Sequence, residues 1–342
     1  MNRLHIFSLL LLFAGCSGSE QEYALPEFKE TRTAQFVPLS EEDLPIKGIS
    51  GMDVYEDNLI VYGVFQDHFI HIYDKHTGLL KTRCLKPGRG PGEAIAPRDL
   101  HLDKTSGQVV FLDSGTKTVN TFAIDDVLRG EFPKVESSEM SSKWSVSDIE
   151  LPGGRKFAYN QVSFLSKDGA TPRMTLWENG TETDRYTEFP FDIGDTTANG
   201  QFTLYQQCHI KASPDFRKLA VGVLSKGLLL ETFDLSGKRI EAIGTGRFVE
   251  PAFLNPGTGR IYGFSALCVT DRYIFGAMSK DIHTPDYERI ALFDWKCRPL
   301  KAFDTDRSVY ALAADDTDGS IYAVVKDDNG MCWLARLDRT FK

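Results

Sequence analysis

Asp99-Leu100-His101-Leu102-Asp103, then Lys104-Thr105-Ser106-Gly107, then Gln108-Val109-Val110-Phe111-Leu112-Asp113 is the stretch that decides the fold. Two short runs rich in apolar residues flank a polar turn that ends in glycine, which is the pattern of an antiparallel hairpin. The piece returns near the C-terminus as Ala311-Leu312-Ala313-Ala314-Asp315, a turn to Gly319, and Ser320-Ile321-Tyr322-Ala323-Val324-Val325. A further strand, closing on apolar-Asp-x-x-Gly or a degenerate copy, recurs beside it: Ile72-Tyr73-Asp74 to Gly78, Thr232-Phe233-Asp234 to Gly237, Leu176-Trp177-Glu178 to Gly180, and Leu292-Phe293-Asp294 to Lys296. Asp, Asn and Gly supply the backbone angles that such turns need.

Taken together the pieces make units of four strands, starting near Gly51, Pro97, Val146, Gln207, Ala266 and Val309. Four strands in roughly 40–50 residues is the blade period of a β-propeller. The sequence therefore predicts an all-β, six-bladed propeller with four-stranded antiparallel blades. The last unit has room for only three strands, so Ala34-Gln35-Phe36-Val37-Pro38-Leu39 is predicted to supply the fourth and leave no open sheet edge.

The chain has 342 residues, 42% hydrophobic and 25% charged, within the range of soluble globular proteins. Its 23 Phe, 12 Tyr and 29 Gly fit a β-rich, turn-punctuated chain. With 39 basic against 48 acidic side chains the formal charge is −9, and no basic domain offers a path for a phosphate backbone. Nucleic acid is not an expected partner, and a monomeric propeller is.

Residues 1–15 carry a short apolar run, Leu4 to Ala14, too short for a bilayer span and suited to an export signal. Phe13-Ala14-Gly15-Cys16 resembles the bacterial lipobox, with Phe13 where leucine is usual. That resemblance implies cleavage before Cys16, acylation of Cys16 and a membrane partner held through lipid; Ser17, rather than Asp, implies the outer membrane of a Gram-negative envelope. Residues 16–33 read as a polar tether and 34–342 as the propeller. Cys84, Cys208, Cys268, Cys297 and Cys332 then remain, an odd number without C-x-x-C spacing, which points to buried thiols more than to metal or redox chemistry.

Lys86-Pro87-Gly88-Arg89-Gly90-Pro91-Gly92-Glu93-Ala94, followed by Pro97-Arg98-Asp99, resembles the inter-blade loop of the TolB-like group of bacterial six-bladed propeller lipoproteins. The resemblance implies fold and compartment, since most members of that group have no assigned activity. A phosphate-binding loop would need Lys-Ser or Lys-Thr after the last glycine and a helix beyond it; Glu93 stands there instead. The loop reads as a crossover between blades, with Arg89 or Glu93 pairing locally.

Aligning the units on their turns places Asp53, Asp99, Asp148, His209, Cys268 and Ala311 at one level of the axis, with Lys211 on the face of His209. Asp53, Asp99, Asp148, His209 and Lys211 are thus the candidates for a ligand channel, and the first four for holding a divalent metal. Asp315-Asp316-Thr317-Asp318-Gly319 lacks the distal acid of a calcium loop and reads as a solvated turn. His68 and His71, placed on one strand, are expected on opposite faces. No catalytic motif or cofactor is called for. The functional expectation is an envelope-anchored module that binds a protein, a glycan or a small ligand; the alternative is a metal-dependent hydrolase or lactonase with its ion at the axis.

Overall fold

The computed structural model describes residues 25–40, 43–139, 145–151, 154–160, 174–186, 208–224, 228–234, 236, 238–244, 262–327 and 329–342. Over them the chain forms six four-stranded antiparallel blades arranged in a ring, a six-bladed β-propeller with almost no helix. The innermost strands are Ile46–Tyr55, Pro97–Asp103, Ser145–Leu151, Cys208–Ala212, Phe264–Val269 and Ser308–Ala314, in blades one to six. Each pairs with the next strand in sequence, so the blades are built outward from the axis by consecutive hairpins, save for the outermost strand of blade six.

Hydrophobic side chains are buried chiefly between blades. Distinct buried clusters join blades one and two, three and four, four and five, five and six, and six and one. Between blades one and two, for example, Ile60, Tyr62 and Ile72 meet Val109, Phe111 and Phe122. A single four-stranded blade could not cover its two apolar faces alone; its neighbours do.

The aspartates predicted to shape the turns do so. Asp74 accepts the amides of His76 and Thr77 at 3.0 and 2.9 Å, Asp234 those of Ser236 and Lys238, and Asp294 those of Lys296 and Arg298. In the 86–94 crossover, Glu93 accepts the Gly90 amide at 2.7 Å, and Lys86–Pro87 pairs in parallel with Glu93–Ala94. Gly92 there has φ +68°, a left-handed backbone that favours glycine, whereas the Phe132 ring beside it is exposed and could move.

Closure follows the expected route. Phe36–Pro38 joins blade six as its outermost strand, with Phe36 opposite Leu337 and Pro38 opposite Ala335. Part of the segment expected to be a tether, 16–33, belongs to the fold. Leu25 and Phe28 pack against the cluster between blades four and five, and Glu30–Thr33 adds in parallel to Pro299–Asp304 as a fifth strand of blade five. The polar sequence of this segment hid a strand that needs only backbone pairing on one edge. Residues 1–24, with the signal and Cys16, lie outside the described residues.

Candidate functional site

Strand register, rather than counting from turns, identifies which residues share a level at the axis. Asp53 pairs with Ile60, His101 with Val110, Ile149 with Phe157, Lys211 with Ala220, Cys268 with Phe275 and Ala313 with Tyr322. These six occupy corresponding places, one per blade. Five of them, Asp53, His101, Ile149, Lys211 and Cys268, line a single small cavity of about 50 Å³.

The sequence alignment placed Asp53, Cys268 and, as a neighbour, Lys211 correctly, and slipped elsewhere. Asp99 sits in a bulge with φ +52°, its carboxylate 3.1 Å from Arg98 Nη1 and its carbonyl 3.2 Å from His101 Nδ1. Asp148 pairs with Ala158, one position off the level of Ile149; its side chain lies outside what is described. His209 pairs with Gly222, two residues along from Lys211, and is packed towards the Phe264 and Ser265 carbonyls of blade five. Ala311 is likewise displaced from Ala313. The four expected metal ligands Asp53, Asp99, Asp148 and His209 therefore do not share one level.

The electrostatics of the axial cavity also disfavour a cation. Lys104 and Lys211 both line it, against the single carboxylate of Asp53, whose Oδ2 already takes the Leu102 amide at 3.3 Å. Burial lowers the His101 pKa, the carbonyl of Asp99 opposes that, and the Lys211 ammonium lowers it further. Burial pushes the Cys268 thiol up to about 12, so it is neutral at physiological pH despite the nearby lysines. His209 is held neutral, its pKa near 4, by burial and by Lys211. A space of this size holds a water or two, and no organic substrate.

A roomier concavity among the described residues lies between blades five and six. A groove of about 560 Å³ is lined by Glu288, Asp306, Arg307, Tyr310, Lys326 and Asp327, among others. Arg307 stacks over the Trp333 ring at 4.7 Å and Lys326 over Tyr310 at 5.6 Å, which fixes both cations on aromatic faces. Lys280 holds Glu288 at 2.9 Å, and Asp306 accepts the Phe36 amide at 3.0 Å, so the closing strand forms part of the support of this wall. Acids and bases alternate around the groove and offer both donors and acceptors to a ligand. No motif announced these residues: they come from the ends of separate strands, and the packing of two consecutive blades brings them together.

Comparison with known proteins agrees with the fold. A Bacteroides fragilis protein described as exported superposes with a TM-score of 0.56 at 13% identity, covering 92% of this chain and 99% of its own. A member of the DUF4221 family from Bacteroides vulgatus superposes with a TM-score of 0.50 at 8% identity, covering 90% of this chain and 98% of its own. No curated protein matches the sequence. The family model described as DUF5128, 6-bladed beta-propeller, matches residues 20–192, slightly more than half of the chain and including the 86–94 crossover. On that match, and with the six blades just described, the chain belongs to the DUF5128 family of six-bladed β-propellers.

Proposed function

We propose that this protein is an exported binding module, held at the cell envelope through acylated Cys16, which takes a polar ligand in the groove between blades five and six. The observation that carries the reading is the contrast between the two concavities: the axis has about 50 Å³ of free space, whereas the groove has about 560 Å³. Ligand sites of small molecules usually occupy about 300–1,000 Å³. The lining is polar and of mixed charge, with Arg307 and Lys326 braced on aromatic rings, so it suits a hydroxyl-rich or zwitterionic ligand such as a glycan better than an apolar one. The lipobox-like Phe13-Ala14-Gly15-Cys16 supports the anchor, and the exported Bacteroides protein of the same fold is compatible with it. The relationship to TolB-like lipoproteins rests on the crossover loop, the strand-turn-strand piece that follows it and the lipobox-like Phe13-Ala14-Gly15-Cys16.

Screening the protein on a glycan array, beside Arg307→Glu and Lys326→Glu variants of unchanged thermal stability, tests the groove. Signals that both variants abolish support the assignment; signals that neither variant changes, or no signal at all, refute the glycan form of it. Replacing Cys16 by Ala tests the anchor, because the protein should then leave the membrane fraction.

A further inference from the structure

Asp67, His68 and His71 lie in and just after the connection between the second and third strands of blade one, Asn58–Phe65 and Ile70–Asp74. Strand alternation would place the two histidines on opposite faces, but His68 is not on the strand. It belongs to the connection, whose curvature brings its ring round to His71; the expectation that the two could not meet is overturned. One ligand atom from each of the three residues lies within 4.8 Å of the others.

The two rings are held in place and each turns a nitrogen towards Asp67. His71 stacks on Phe65 with centroids 3.6 Å apart, and its Nδ1 lies 3.2 Å from the Tyr73 hydroxyl. That contact leaves Nε2 facing Asp67 Oδ1 at 3.6 Å. His68 Nδ1 lies 3.1 Å from Asp67 Oδ2. Neither of these nitrogens makes a hydrogen bond, although the His68 and His71 side chains are only 10% and 3% exposed. Two buried imidazole nitrogens that meet a carboxylate without good hydrogen-bond alignment are poorly satisfied, and a metal ion that accepts their lone pairs would relieve this. Arg83 Nη1, 2.7 Å from Asp67 Oδ2, orients the carboxylate from outside, as supporting residues do around metal ligands.

We propose that Asp67, His68 and His71 bind a divalent transition metal of the zinc type, in a three-ligand site with its remaining position open to solvent past the half-exposed Asp67. Two imidazoles and one carboxylate suit Zn²⁺ and neighbouring transition ions, whereas Ca²⁺ and Mg²⁺ want oxygen ligands. The site is distinct from both the axial cavity and the groove. It ties the 66–69 connection to the third strand of blade one, and its open position is free to take a water or a ligand atom.

The test uses the full chain, purified in detergent and stripped with chelator, with Zn²⁺ and Co²⁺ as probes. One equivalent of Zn²⁺ should bind per chain, and Co²⁺ should give the intense visible bands of a four-coordinate site. His68→Gln and Asp67→Asn should each weaken Zn²⁺ binding at least tenfold and bleach the Co²⁺ spectrum, while circular dichroism stays unchanged. Asp53→Asn, at the axis, should leave binding intact. His71→Gln serves only as a further variant, since its ring is part of the packing. No stoichiometric binding, binding untouched by His68→Gln and Asp67→Asn, or binding lost in Asp53→Asn would each overturn the proposal.

Discussion

Lys75 Nζ lies 3.1 Å from Asp315 Oδ2, and the two side chains, 9% and 5% exposed, join the first blade to the last. Asp315 therefore does not lie in a solvated turn, as its sequence context suggested. It also accepts the Thr317 amide at 2.8 Å, and Lys75 has a second carboxylate, Asp57, at 3.3 Å. Lys75→Met strips the buried Asp315 of its cation and should cost about 3–5 kcal/mol, whereas Asp315→Ala leaves Lys75 paired with Asp57 and should cost less. Replacing both by apolar residues of similar size should restore much of that loss. Urea unfolding of the two single variants and the double variant checks this; additive losses would contradict it.

The same pair gives a pH dependence whose sign can be fixed. Burial alone would raise the Asp315 pKa, but bonds from Thr317 and Lys75 hold it below the ordinary carboxylate value. Its contribution is therefore complete above the unfolded pKa of about 3.9 and is lost as pH falls through the lower folded value. For Lys75, burial opposes the charge but Asp315 and Asp57 outweigh it and raise the pKa, so that contribution is present up to about pH 10.4 and lost above it. Stability measured against pH should show both limbs reduced in the double apolar variant.

Asp113 accepts the amides of Ile95, Ala96 and Gly115 at 2.9, 3.0 and 2.9 Å, and so fixes where the crossover enters blade two. Burial works against its charge, but these amides keep its pKa lowered. Asp113→Ala would orphan three donors at about 1–3 kcal/mol for each one left buried. A drop of at least about 2 kcal/mol in urea is expected, with faster amide exchange at Ile95 and Ala96; no change in either would refute the role.

None of the five cysteines after Cys16 is in a disulfide. Burial pushes the thiols of Cys84, Cys268 and Cys297 up to about 12. Native protein with Cys16 acylated or blocked should therefore expose at most Cys208 and Cys332 to a thiol reagent at pH 8, and all five after unfolding. Mass spectrometry of the labelled peptides reads the result directly, and rapid native labelling of Cys268 would contradict the burial.

Phe36 is 5% exposed and sits opposite Leu337, so Phe36→Ala removes a core ring as well as weakening the last strand pair. Substitutions of this kind cost about 3–5 kcal/mol. Its unfolding midpoint should fall accordingly, and the amides of Ala335 and Leu337 should lose exchange protection before those of blade two.

Blade number, strand order and ring closure were legible in the sequence because each rests on local pattern: alternation, turn aspartates and the missing strand of the last unit. The axial level was not. Turn lengths differ, since Tyr55 pairs with Asn58 whereas Ala314 pairs with Ile321. Bulges interrupt the register of the inner hairpins, as between Val110 and Leu112 or Val309 and Ala311. His101 and Ile149 lie between the turn and the bulge of their blades, so it is the longer turns, Asp103 to Gln108 and Leu151 to Arg155, that put them where counting had placed Asp99 and Asp148. The histidine pair on blade one was missed for a related reason: a two-fold alternation was applied across a connection that is not strand.

The pairing of Phe36 with Leu337 also sets an order in time. At synthesis rates of about 5–20 residues per second, the first of these strands waits roughly 15–60 s for the second to be made. Until then blade six lacks its outer strand. The ring can therefore be completed only after Leu337 has been made and has cleared the ribosome, and contacts so distant in sequence predict slow folding. A nascent chain of this design stays open, and so remains a substrate for chaperones, until the strand that carries Leu337 emerges.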